Sequence, residues 1–440
     1  MTATAGRHGG KAAGDPEALL LDAGLERVDG TLADAGVPLS EIAGQFGTPT
    51  YVYNADTIRR QFLALDQALA AIPHRICFAV KANSNLGVLR ILRDLGAGAD
   101  IVSEGELRRA LAAGFAADHV VFSGVGKTAA ELNAAISAGI GHVNLESVAE
   151  LELLAELAGK SGGAGRSVPV GIRVNPDVTL ETHPYISTGK RGSKFGIPLD
   201  QVRPAAELIR KHPQLRLVAI AMHIGSQLTD VTPFADGAKR LVELVDAVRA
   251  DGTTTLKELD VGGGLGIRYR DEVPMDVRAF ADAVVPIVKP TGLTMYMEPG
   301  RYLVGQAGVL LTRVLFRKHS GGKEFVIVDA GMNDLERPSR YQAYHGIAPV
   351  RARDEAGFVA DVVGPVCETG DFFALDREIG AVEGGDLVAI LGAGAYGFAM
   401  ASNYNTRPLP AEVIVEGGKA WLARPRQEVD ELFSTERTSP

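Results

Sequence analysis

Between residues 75 and 300 the chain runs eight times through one alternation, a short β-branched run followed by a helical stretch rich in Ala and Leu. The runs are RICFAVKA (75–82), ADIVSE (99–104), VVFSG (120–124), HVNLES (142–147), PVGIRVN (169–175), AIAMHIG (219–225), ELDVGGG (258–264) and TMYMEPG (294–300). Between them, stretches such as LGVLRILRDLG, EGELRRALAAG and SVAELELLAELA carry apolar residues at helical spacing. Eight such units over about 250 residues predict a TIM-type (β/α)8 barrel. A doubly wound open sheet has the same alternation and stands as the alternative.

Beyond residue 301 the text changes. AGVLLTRVLFRK, KEFVIVDAG, AGFVADVVGP, GDLVAILGAGA and PAEVIVEGG read as strands with few helical runs between them. The expected fold class is therefore α/β, a barrel followed by a mainly β, sandwich- or barrel-like domain. The expected division is an N-terminal arm over 1–48, partly flexible and partly joining the β domain, a barrel over 49–300 and the β domain over 301–440. A chain of 440 residues is long enough for two cores.

Several function classes are disfavoured. A net charge of -9 supplies no basic stripe for a nucleic-acid backbone. No run of 18 apolar residues suggests a membrane span, and MTATAGRHGGKAAGDP lacks the apolar core of a signal peptide. Two cysteines, Cys77 and Cys367, build no disulfide framework. These features favour a cytoplasmic protein, and no metal site is expected.

In a TIM barrel the reacting groups sit at the C-terminal ends of the strands. Those ends carry Lys81, Ser103, Ser123, Glu146, Asn175, His223, the Gly262, Gly263, Gly264 run and Glu298. A lysine closing the apolar run CFAV is partly desolvated, which lowers its pKa and frees a neutral amine for Schiff-base chemistry. A surface lysine snorkelling from a strand end has the same sequence. Three glycines at a strand-to-loop turn let N–H groups converge on a phosphate, or simply make a tight turn. Glu298 suits the nitrogen of a pyridine ring, which it keeps protonated and electron-withdrawing, or it pairs with Arg301. His223 can lie flat on a ring and Ser226 can reach a phosphate oxygen. Lysine, ring, anion cradle and carboxylate together suit pyridoxal phosphate, and the choice of Glu at 298 leans towards decarboxylation over racemisation.

Two motifs mislead. GVGKT (124–128) resembles the end of a Walker A loop, but the first glycine would fall at Val121. GAGAYG (392–397) fits G-x-G-x-x-G, yet Pro408 and Pro410 leave no room for the helix of a dinucleotide site, and a Gly-rich turn presenting Tyr396 fits better.

YVYNADTIRRQF, FAVKANSN, ADIVSEGEL, THPYISTGKRGSKFGI, MHIGSQ, DVGGGLGI, MEPGR, NDLERPSRYQAYH, GPVCETGD and YNTRPLPAEV resemble, in order and spacing, the diaminopimelate decarboxylase family. That family has an alanine-racemase-like fold, and the motifs extend from about residue 49 to residue 413. Several are shared with ornithine, arginine and carboxynorspermidine decarboxylases. The resemblance implies pyridoxal 5'-phosphate as cofactor and decarboxylation of meso-2,6-diaminopimelate to L-lysine and CO2, the last step of lysine biosynthesis.

Carried over by position, it implies that Lys81 holds the cofactor, His223 stacks on its ring and Glu298 pairs with the ring nitrogen. Ser226, Gly262, Gly263, Gly264, Gly300 and Tyr396 hold the phosphate, with Arg301 beside them. Arg301, Arg337, Tyr341 and Tyr396 bind the substrate, Glu368 faces its distal ammonium, and Cys367 returns a proton. In the family Cys367 and Lys81 come from opposite subunits, so the resemblance implies a homodimer with shared sites. It also makes HPYISTGKRGSKFG (183–196) a lid.

Part of this stands on charge alone. Arg301 and Arg337 offer bidentate forks for a distal carboxylate, and Glu368 offers a counter-charge for an ammonium. Ornithine or lysine would leave the forks unpaired, at a cost of a few kcal/mol. Glu368 and Asp371 beside Cys367 should raise its thiol pKa, as suits a proton donor, whereas Cys77 reads as barrel core. CETGD replaces the family's usual CESGD, and SGVGKT is a variant region without an assigned role. A related decarboxylase, or a cofactor-binding protein without turnover, is the competing reading.

Overall fold

The computed structural model describes residues 16–160, 167–176 and 194–438. The start of the arm and residues 183–193 of the expected lid lie outside them.

All eight expected runs form strands, and the sheet closes. In chain order the barrel strands are His74–Ala79, Gly98–Ile101, Val120–Phe122, His142–Leu145, Val168–Asn175, Leu215–Met222, Glu258–Asp260 and Thr294–Met297. Each is parallel to the next, and the eighth returns to the first through Met295, Tyr296 and Met297 against His74, Arg75 and Ile76. Closure leaves no strand edge open and excludes the open-sheet alternative. Alternation along a strand separates two environments. Ile76 and Phe78 of the first strand join the main core under the helices, while Cys77 packs with Val121 and Tyr296 in a separate small cluster. Cys77 is thus barrel core, as expected.

The second sheet runs Phe372–Ile379, Phe358–Val363, Lys323–Val328, Gly308–Ser320, Thr50–Asn54, Ala411–Glu416, Lys419–Arg424, with Leu387–Ile390 branching from Gly308–Ser320 and Ile347–Pro349 pairing with Leu387–Ile390. One boundary moves. Residues 50–54, placed at the start of the barrel by the sequence, pair antiparallel with Gly308–Leu311 and parallel with Ala411–Val415. The chain leaves the β sheet only at Asn54, whose side chain caps the helix Ala55–Ala68 by accepting from Thr57 N–H at 2.7 Å. That helix then leads into the first barrel strand.

Residues ahead of Thr50 dock on the same sheet. Leu19, Leu20, Leu32, Leu39 and Ile42 form one buried cluster with Val52, Val309, Leu311 and Val413. The Leu32 N–H donates to the Val350 carbonyl at 2.7 Å.

Candidate active site

Lys81 sits in the single turn Val80–Ala82 that ends the first barrel strand. Its ammonium lies 3.5 Å from Asp100 Oδ2, an aspartate with no exposed surface. This corrects one expectation. Burial does push the Lys81 pKa down, but its acidic surroundings, Asp100 foremost, outweigh burial and raise it. The amine is an ammonium in this arrangement, and a positive charge beside a buried carboxylate is what stabilises it.

Glu298 ends the eighth strand and is nearly buried. Ser123 Oγ donates to Glu298 Oε1 at 3.3 Å. Burial pushes the Glu298 carboxyl well above the carboxylate range, and the neighbouring Asp100 and Asp260 push it further. Burial also raises Asp260 to about 6, against the pull of the Gly262 N–H bound to its Oδ1 at 2.8 Å. Glu298 therefore carries a proton that it can share with a basic nitrogen.

His223 follows the sixth strand. Burial, Arg173 and Lys81 hold its imidazole pKa far below the usual value, so the ring is neutral. The Gly263 N–H donates to its Nδ1 at 3.2 Å, which leaves the ring proton on Nε2. The glycines serve this packing. A Cβ on Gly263 would overlap the Glu298 carbonyl, and one on Gly262 the Met222 carbonyl. Two of the three N–H groups expected to cradle a phosphate are thus committed, Gly262's to Asp260 and Gly263's to His223. Among the described residues only Gly264's has no acceptor.

His223, Ser226, Arg301, Arg337, Tyr341 and Tyr396 line one cleft of about 320 Å³. Gly300 precedes the short helix Arg301–Val304, which starts at the cleft. Arg301 donates from Nε and one terminal nitrogen to Ser226 Oγ at 3.4 and 3.2 Å and lies 4.9 Å from the Tyr396 ring. Tyr396 adopts φ +56 within the Gly-rich turn, and its N–H donates to the Ala82 carbonyl at 2.8 Å, next to Lys81.

The same cleft contains Tyr269, which the sequence reading passed over, and His345 packs on it. Arg301 donates to the Tyr269 hydroxyl at 2.6 Å, and the Arg337 guanidinium lies 4.4 Å from the Tyr269 ring centre. His345 Nε2 is 3.0 Å from Arg337. Tyr269 stands five residues beyond the glycine run, on the loop from a barrel strand end, and that position was the available signal.

Cys367 and Glu368 are not among the residues lining this cleft. Both are exposed, and the Cys367 N–H donates to Asn405 Oδ1 at 3.1 Å. Asp371 accepts from the Met332 and Val366 N–H groups at 2.6 Å each. The SGVGKT region also gains a role. Lys127 is buried and donates to the carbonyls of Gly124 and Asn144 and to Glu150 Oε1, at 2.8, 2.7 and 2.7 Å. Thr128 caps the next helix in a capping box with Glu131. Glu146 pairs with Arg173 at 2.6 Å and accepts from Gly196 N–H at 2.7 Å.

The residues fit pyridoxal phosphate on two structural grounds. Neither oxygen of the buried Asp100 has a hydrogen-bond partner, so this carboxylate lies beside Lys81 with acceptor capacity to spare. The donor set combines a lysine, a protonated carboxyl, a neutral imidazole and a serine–arginine pair for an anion. Among the described residues no cluster of metal-ligating side chains occurs, and no helix is long and apolar enough to cross a membrane.

Residues 55–305 match the family described as "Pyridoxal-dependent decarboxylase, pyridoxal binding domain". The chain is 50% identical over 412 residues to a diaminopimelate decarboxylase of Pseudomonas aeruginosa, covering 94% of this chain and 98% of that one. To its counterpart in Vibrio cholerae it is 48% identical over 413 residues, with the same coverages. Among solved structures, diaminopimelate decarboxylase from M. jannaschii in complex with L-lysine superposes with a TM-score of 0.89 at 34% identity, covering 94% of this chain and 98% of that one. The Helicobacter pylori enzyme complexed with L-lysine gives 0.87 at 39% identity, covering 90% and 99%. By fold, site and sequence, the chain belongs to the diaminopimelate decarboxylase family of pyridoxal-dependent decarboxylases.

Proposed function

We propose that the protein decarboxylates meso-2,6-diaminopimelate at its D-centre to L-lysine and CO2, the last step of lysine biosynthesis, in the cytoplasm. The observation that carries the reading is the pair Arg301 and Arg337. Both are nearly buried in the cleft, and among the described residues neither has a carboxylate at ion-pair distance. A substrate with a second carboxylate supplies the missing charge.

Pyridoxal phosphate supplies an aldehyde for amines and a ring that takes up the electron pair left behind by CO2. Lys81 would hold the cofactor and move a proton at Nζ, with Asp100 Oδ2 3.5 Å away. Glu298 would share its proton with the ring nitrogen and so keep the ring electron-withdrawing. His223 would stack on the ring as a neutral plane that adds no charge. Ser226, Gly264, Gly300 and the Tyr396 hydroxyl orient the phosphate, with Gly262 and Gly263 setting the shape of the loop. Arg301, Arg337 and Tyr341 bind the distal carboxylate.

Glu368 receives the distal ammonium and Cys367 Sγ returns a proton to the α-carbon. Their exposure on their own chain supports a homodimer in which each subunit completes the other's site. The domains follow the same division, a barrel that binds the cofactor and a β domain that recognises substrate. Incubating the purified protein with pyridoxal phosphate and meso-diaminopimelate should release CO2 and lysine in equal amounts. Release of neither would refute the assignment.

A further inference from the structure

Arg301 and Arg337 come from different parts of the fold, the end of the eighth barrel strand and the short helix Arg337–Tyr341 of the β domain. Each guanidinium repels the other, and burial first and then Arg301 pull the Arg337 pKa down, against Tyr269. What keeps them together is Tyr269 and His345. The Tyr269 hydroxyl accepts from Arg301 at 2.6 Å while its ring meets the Arg337 guanidinium at 4.4 Å. One side chain thus engages both cations, by a hydrogen bond and by its π-face. Burial pushes the Tyr269 phenol up, but the two arginines outweigh burial and bring it below its ordinary value.

His345 completes the arrangement. It has no exposed surface, and its ring meets Tyr269 edge-on with centroids 5.4 Å apart. Its Nδ1 faces the Leu391 carbonyl at 2.7 Å. A carbonyl only accepts, so Nδ1 carries the hydrogen and Nε2 offers its lone pair to Arg337 at 3.0 Å. Burial and Arg337 hold the imidazole pKa down at about 3, so this acceptor stays neutral at any working pH.

We propose that Tyr269 and His345 are positioning residues that align Arg301 and Arg337 as one receptor while withholding a counter-ion. Both partners accept hydrogen bonds without bringing a carboxylate. An Asp or Glu at either position would neutralise the pair and remove the demand for an acidic substrate end. With Tyr and His there, tight binding requires a carboxylate at the substrate's far end, which a diamino diacid has and lysine entering through its α-amine lacks. The inference rests on the substrate reading above.

The test uses the holoenzyme and the variants Tyr269→Phe, His345→Phe and His345→Gln, with KM and kcat for meso-diaminopimelate, melting temperature and the cofactor absorbance band recorded for each. Losing a hydrogen bond to a charged group predicts that Tyr269→Phe and His345→Phe raise KM roughly tenfold to hundredfold, with a smaller fall in kcat. Gln offers both an acceptor for Arg337 and a donor for Leu391, so His345→Gln should recover most of the lost affinity. Folded, cofactor-loaded Phe variants with unchanged KM would overturn the proposal. So would His345→Gln being as impaired as His345→Phe at equal melting temperature. If the wild-type enzyme does not turn over diaminopimelate, the substrate reading itself fails, an outcome separate from either of these.

Discussion

The Lys81 ammonium and Asp100 Oδ2 are 3.5 Å apart, and neither oxygen of that buried aspartate has a hydrogen-bond partner. Asp100 is the nearest charge raising the Lys81 pKa. Asp100→Asn keeps the shape and removes the charge, so the Lys81 pKa falls and more neutral amine is present at pH 8. Cofactor-free Asp100→Asn protein should bind pyridoxal phosphate through Lys81 faster at pH 8 than wild type, and the pH at which the rate levels off should move down. Stopped-flow absorbance measures both, and an unshifted profile would remove Asp100 from this role.

Asp34 supplies a pH dependence of stability. Burial raises its pKa from 3.8 to about 7, against the Asn54 amide that donates to its Oδ1 at 2.6 Å. The folded state then holds a proton that the unfolded state releases near pH 4, so this group's contribution to stability falls as pH rises from about 4 to 7. Asp34→Asn should flatten the melting-temperature profile over that range and be relatively more stable at pH 8. An unchanged slope in calorimetry would contradict the assignment.

Lys127 gives the largest expected loss of stability outside the cleft. Replacing it by Met leaves Glu150 and two carbonyls without their buried cation, at about 3–5 kcal/mol. Urea unfolding should show the loss. The folded fraction should still bind cofactor, since the hydrogen-bond partners of Lys127 are Gly124, Asn144 and Glu150, none of which lines the cleft.

Shared sites predict complementation. Lys81→Ala and Cys367→Ala proteins are each inactive alone, yet a mixed dimer contains one site with both native residues. Random pairing of equal amounts should restore about a quarter of wild-type activity. Absence of recovery after demonstrated subunit exchange would place Cys367 and Lys81 in the same subunit's site.

The barrel was legible because each of its strands is bounded by a helix and a turn, and period alone reveals such a pattern. Lys81, His223 and Glu298 followed because they close those strands. Other features depend on tertiary partners. Thr50–Asn54 reads as the opening of the barrel, since nothing local shows that its hydrogen bonds go to residues 308 and 411. The strand Phe372–Ile379 was passed over because Asp376, Arg377 and Glu378 interrupt its apolar run. The charge on Lys81 was misread for the same reason, as Asp100 is 19 residues away in sequence and its nearest acid in space. Tyr269 and His345 are ordinary loop residues until the fold sets them against two arginines.

The crossing at Asn54 also fixes an order of events during synthesis. A ribosome that has made the first fifty-four residues has produced one central strand of the β sheet, but both its neighbours are encoded beyond residue 300. That strand must wait, edges unpaired, while the whole barrel emerges. The β domain that supplies Arg337 and Tyr341 can therefore close only on a finished barrel, which by then already carries Ser226, Tyr269 and Arg301.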